Sequence, residues 1–139
     1  MNKKFKVIKI DHVAIAVDNL NESSILFNLL GMNAEPIEYV KNENVNVIKL
    51  HPENNQDTIE LLESTDNSTT VKSFLDKKGK GLHHIALEVD NIYNAIEYLE
   101  ENSIKIIYKK PQLGANKKLI TFIHPSSTPG VLIELCQTV

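Results

Sequence analysis

The sequence predicts an α+β fold: two tandem β-α-β-β-β modules forming a curved, mostly antiparallel sheet around a metal-containing cavity, with helices outside. Three observations lead there. The stretch Leu82-His83-His84-Ile85-Ala86-Leu87-Glu88-Val89-Asp90-Asn91-Ile92 has a near-copy in Ile10-Asp11-His12-Val13-Ala14-Ile15-Ala16-Val17-Asp18-Asn19-Leu20. A second echo follows each copy, Thr58-Ile59-Glu60-Leu61-Leu62 and then Leu132-Ile133-Glu134-Leu135-Cys136. Each first echo has period-two character and gives way to helical spacing. The chain reads as one domain written as two modules, about residues 6–64 and 81–138, joined by a polar linker over residues 65–80.

The elements follow in order. Phe5 to Val17 is the first strand. Its side chains alternate between faces, so His12, Ala14 and Ala16 share one and Val13, Ile15 and Val17 the other. The bulky face suits packing against helices; the small one leaves room, which predicts a cavity beside the histidine. Asn19 stands three residues before Glu22, as in a capping box. Ile25, Leu26, Leu29 and Leu30 then form an apolar stripe at helical spacing, with Gly31 as the stop. Extended segments are expected at Asn33 to Lys41, Val45 to Leu50 and Asp57 to Glu63, separated by Asn- and Pro-containing turns. A short helix is expected in the linker over Val71 to Lys77, with Val71, Phe74 and Leu75 inward.

The pattern then repeats. In the strand Leu82 to Val89, His84, Ala86 and Glu88 share a face opposite His83, Ile85, Leu87 and Val89. A helix starts at Asn91 with Ile92, Ala95, Ile96 and Leu99 inward and stops at Asn102. Strands are expected at Ile104 to Tyr108, Lys118 to His124 and Val131 to Cys136. The loops between them hold Pro111-Gln112-Leu113-Gly114-Ala115-Asn116 and Pro125-Ser126-Ser127-Thr128-Pro129-Gly130.

Bulk properties narrow the function. The 139 residues are 42% apolar and 24% charged, an ordinary globular composition. A net charge of −3 speaks against a nucleic-acid partner. No run approaches the roughly 18 apolar residues of a membrane span. The start, Met1-Asn2-Lys3-Lys4, has no signal core, and the single Cys136 fits a reducing compartment. A cytoplasmic location is the expectation.

The chemistry is carried by His12, Glu60, His84 and Glu134. Each module contributes one His and one Glu, and approximate two-fold symmetry between the modules would bring all four to one point. Imidazole and carboxylate together suit a divalent first-row metal, with zinc, cobalt, nickel, manganese and iron admissible. An unpaired Glu inside Val131-Leu132-Ile133-Glu134-Leu135 would be expensive to bury, which favours ligation over coincidence. His83 is expected on the packing face and His51 exposed at a turn. His124, before Pro125, anchors a loop or edges a substrate site. Lys77, Lys78, Lys80, Lys109, Lys110, Lys117 and Lys118 read as solvated surface, as do Glu43, Glu88 and Glu100-Glu101. No phosphate-cradling glycine loop or Ser/His/Asp pattern is present.

The duplicated plan with its His/Glu pairs resembles the vicinal oxygen chelate (glyoxalase-like) superfamily and, within it, the methylmalonyl-CoA epimerase family. The resemblance rests on residues 10–17, Gly81 to Ile92, Leu113-Gly114-Ala115, Phe122-Ile123-His124-Pro125 and Gly130-Val131-Leu132-Ile133-Glu134-Leu135. It runs from about Ile8 to Gln137. It implies one divalent ion (Co, Mn, Ni or Zn) held by His12, Glu60, His84 and Glu134, a CoA thioester substrate and a homodimer. It also implies an isomerase that removes the α proton of methylmalonyl-CoA through a metal-stabilised enolate, with Glu134 as base and Glu60 next. Some members have Gln at the Glu60 position, a carboxylate at the position of Val47, and Lys at that of Ser126. Competing expectations are a glyoxalase I type lyase acting on a glutathione adduct, an iron dioxygenase, and a non-catalytic small-molecule-binding protein of the same fold.

Overall fold

A computed structural model describes residues 2–67 and 69–139; Met1 and, within the expected linker, Ser68 lie outside the described residues. The elements run β1 (Val7–Ala16), α1 (Leu20–Leu29), β2 (Asn33–Ala34), β3 (Glu38–Val40), β4 (Val45–His51), β5 (Ile59–Ser64) and α2 (Thr70–Lys78). They continue with β6 (Gly81–Val89), α3 (Ile92–Glu101), β7 (Gln112–Leu113), β8 (Leu119–Ile123) and β9 (Leu132–Gln137). The α+β class and the repeat of strand, helix and strands are as the sequence predicts. No described helix is long and apolar enough to cross a membrane.

The chain falls into two compact units: His12–His83, and the N-terminal segment up to Asp11 together with His84–Val139. In the first, β5 pairs in parallel with β1 and antiparallel with β4, whose other edge takes β2 and β3. Its core is Val17, Leu20, Ile48, Leu50 and Leu61, with Ile15, Phe27, Met32 and Ile59 packed against it. Asn19 caps α1 by accepting from the Glu22 amide at 2.9 Å, and Glu63 Oε2 accepts from the Leu20 amide at 3.0 Å. These bonds satisfy donors that a helix start leaves without partners.

The cap fixes which side of α1 faces the strands, and it is not the expected one. Leu20 and Ser24 are buried and Phe27 is partly buried, whereas Ile25, Leu26, Leu29 and Leu30 are 55%, 59%, 81% and 67% exposed. At 3.6 residues per turn the two sets lie on opposite sides of the helix. The expected segment from Asn33 to Lys41 is also divided. Pro36, which has no amide hydrogen to give a ladder, separates β2 from β3. In α2, Thr69 caps the start and Gly79, at φ +77°, ends it; Val71 is buried as expected.

In the second unit β9 pairs in parallel with β6 and antiparallel with β8, and β8 carries β7. Val89, Ile92, Ala95, Ile96, Ile106 and Leu135 form its core, which uses the predicted stripe of α3. The N-terminal segment is tied to this unit: the Lys6 amide donates to Asp90 Oδ1 at 2.7 Å, and the Asp90 amide to the Lys6 carbonyl at 3.1 Å. The expected strand from Ile104 to Tyr108 does not form as a regular strand. It keeps one bridge, Ile106 with Ile123. The reason is Thr121, whose Oγ1 accepts from the Tyr108 amide at 3.1 Å and donates to the Tyr108 carbonyl at 2.7 Å. A side chain thus takes the place of the next ladder step. The short β7 arises inside what reads as a loop. It lies beside Gly114, where an added Cβ would stand 2.9 Å from Ile120 Cγ2.

Candidate metal centre

The two parallel strand pairs have the same register. Ala14 stands opposite Glu60, and Ala86 opposite Glu134. Since residues i and i+2 share a strand face, His12 lies on the face of Ala14 and Glu60, and His84 on the face of Ala86 and Glu134. Each His therefore meets its Glu diagonally across a parallel pair, within reach of long side chains. Within the first unit His12 Nδ1 stands 3.4 Å from Glu60 Oε2. Within the second, His84 Nε2 stands 3.1 Å from Glu134 Oε1. In each unit the alanines leave room for this approach on a deeply buried strand face, Ala14 and Ala16 in the first and Ala86 in the second being 0% exposed.

Burial makes the pairs chemically demanding. His12, Glu60, His84 and Glu134 are 6%, 4%, 4% and 6% exposed, and carboxylates are rarely withdrawn from water unless paired or ligating a metal. The donor chemistry fits an ion. Imidazole nitrogen and carboxylate oxygen bound to one zinc-sized cation at about 2.1 Å stand roughly 3–3.5 Å apart, and both pairs have that spacing. Phe122 presents an edge to the His84 ring, with centroids 5.7 Å apart, and so fixes its orientation. Val47, 2% exposed, adds an apolar wall on β4.

Of the other residues, Lys118, Glu88 and His51 depart from expectation, while His83 and His124 stand as expected. Lys118 is not solvated surface. Its Nζ lies 2.5 Å from Asp11 Oδ1 and 3.9 Å from Glu88 Oε1, with only 20% of the side chain exposed. Burial pulls its pKa down, but the hydrogen bond and charge of Asp11, with Cys136 and Glu88, outweigh that and raise it. Glu88 is accordingly half-buried. His51 is also withdrawn, bound to Glu35 and, at 3.1 Å, to Thr58 Oγ1. His83 packs edge-on against Phe74, with centroids 5.0 Å apart. His124 anchors its loop by accepting from the Ser126 amide at 3.0 Å. The residue that sequence reasoning passed over is Lys49, 7% exposed on β4, with Nζ 4.0 Å from Glu60 Oε2. Its signal is a lysine on the same face as Val47, set between the apolar Ile48 and Leu50.

With the geometry in place, the chain can be set beside known proteins. The glyoxalase/bleomycin resistance protein/dioxygenase superfamily matches residues 11–122, and the chain belongs to that superfamily. It is 39% identical over 135 residues to the mitochondrial methylmalonyl-CoA epimerase of Dictyostelium discoideum, covering 95% of this chain and 80% of the relative. Among solved structures it is similar to the methylmalonyl-CoA epimerase from Mycobacterium tuberculosis, at 29% identity and a TM-score of 0.90 over 96% of this chain and 89% of that one. It is equally similar, with a TM-score of 0.90, 26% identity and 96% of each chain covered, to a methylmalonyl-CoA epimerase in complex with methylmalonyl-CoA and NH4+. Within the superfamily, the likeness is to its epimerases.

Proposed function

We propose that this protein is an isomerase interconverting the two epimers of methylmalonyl-CoA. The observation that carries the reading is the pair of buried His–Glu couples at equivalent register positions, His12 with Glu60 and His84 with Glu134. The named relatives supply the substrate class, a CoA thioester. We assign His12, Glu60, His84 and Glu134 to one divalent ion, cobalt, manganese, nickel or zinc. His12, His84 and Glu134 make up a candidate metal-binding group, and Glu60 is the partner of His12. Bound there, the ion supplies a Lewis acid for the negative charge that develops on the substrate's oxygens as the α proton leaves.

The chain's own residues do the rest. Glu134 takes the α proton, with Glu60 the next candidate for the base; where some relatives have a carboxylate, this chain has Val47. The strand faces of Ala14 and of Ala86 are each buried, and charge interactions are stronger when withdrawn from water. The buried Cys136 suits a reducing compartment such as the cytoplasm. The exposed apolar side of α1 suits a second copy of the chain.

The test is deuterium incorporation at the α carbon of methylmalonyl-CoA in heavy water. Exchange should be fast, abolished by a chelator and restored by added divalent ion. Fully metallated protein that exchanges nothing would redirect the reading to a glutathione adduct. Protein that neither binds metal nor exchanges the proton would be a binding module.

A further inference from the structure

The unused group that stands out is a cation. Lys49 lies between Ile48 and Leu50 on β4, directly opposite Glu60 in the ladder with β5. Its side chain is 9% exposed, a rarity for lysine unless its charge is paired. The partner is Glu60 Oε2, 4.0 Å from Nζ. The same oxygen faces His12 Nδ1 at 3.4 Å. One carboxylate oxygen is thus shared between an ammonium and a candidate metal-ligating ring.

We infer that Lys49 is a positioning residue for the metal centre: it aims the Glu60 carboxylate and cancels one of the two negative charges that Glu60 and Glu134 bring. This rests on the proposed metal centre and deepens it. Two carboxylates and one ammonium leave a net charge of −1 around a dication, so the loaded site carries +1, where without Lys49 it would carry 0. The ion is then held less tightly than two uncompensated carboxylates would hold it. In return, more positive charge remains to stabilise an anionic substrate. Neither Lys49 nor Glu60 is tolerated alone in this position, because removing one member of a buried pair strands the other.

The experiment is a double-mutant cycle of Lys49→Met and Glu60→Gln, read out on two quantities that do not require turnover. One is the affinity for Co(II) in competition with a chelator; the other is the Tm of the metal-free protein. Lys49→Met should tighten Co(II) binding about tenfold, as loss of a nearby cation in a partly screened site predicts, while kcat falls with little change in KM. Glu60→Gln should weaken Co(II) binding. Each single variant should lower the Tm of the metal-free protein, and the double variant should recover much of the loss. If Lys49→Met does not fold alone, a folded double variant supports the pairing equally. Additive effects on Tm, or Co(II) affinity unmoved or weakened by Lys49→Met, would overturn the inference while leaving the metal centre standing. Wild-type protein that binds no Co(II) would overturn the metal centre and this inference together.

Discussion

Withdrawing a charge from water costs several kcal/mol even after relaxation, so the residues this chain buries are informative one by one. The burial of Glu134 beside an imidazole was legible in the sequence for that reason: a carboxylate inside an apolar strand needs a partner, and the repeat grouped it with His12, Glu60 and His84. Lys49 obeys the same rule but was not legible, because its partner Glu60 is a neighbour only through the ladder between β4 and β5. Cys136 shows the rule for a neutral group. It is 0% exposed; burial, with the charges of Asp11 and Glu134, drives its thiol pKa well above the usual range despite Lys118. Iodoacetamide should therefore leave native protein unlabelled at about pH 9, where an exposed cysteine with pKa about 8.5 is largely thiolate. Labelling should appear only on unfolding. Rapid native labelling at that pH would mean that β9 opens readily.

The elements show where local pattern suffices and where it does not. The stripe of α3 reads correctly because its apolar residues lie on one side only. In α1 they lie on both sides, and the choice between them falls to the Glu63 bond to the Leu20 amide and to the pocket that Ile48, Leu50 and Leu61 offer Phe27. Period alone cannot express that choice. Between Ile104 and Tyr108 the sequence has strand character, yet Thr121 intercepts the amide and carbonyl of Tyr108. Thr121→Val keeps the volume but removes both bonds to the part-buried backbone of Tyr108, at about 0.5–1.5 kcal/mol per bond lost. Thermal or denaturant unfolding should record that loss. A neutral effect would show that the segment recovers a regular ladder when the hydroxyl is gone.

For the molecule as a whole, the surface carries the largest departure from expectation. Leu29, 81% exposed, heads an apolar side of α1 that is open to solvent. If that side meets a second copy, Leu29→Glu should convert a dimer to a monomer in sedimentation equilibrium, with the far-ultraviolet circular dichroism unchanged. A wild-type protein that stays monomeric across concentrations would remove the homodimer from the account. The sequence by itself determined the duplicated β-α-β-β-β plan and one His and one Glu per module, because strand alternation and internal repetition are local properties that need no partner to be read. Only the tertiary structure decided which side of α1 is buried, that Lys118 and Glu88 leave the surface, and that Lys49 stands against Glu60. Those outcomes depend on ladder register and on contacts between distant segments, and a buried charge reveals its partner only when the strands that carry both are aligned.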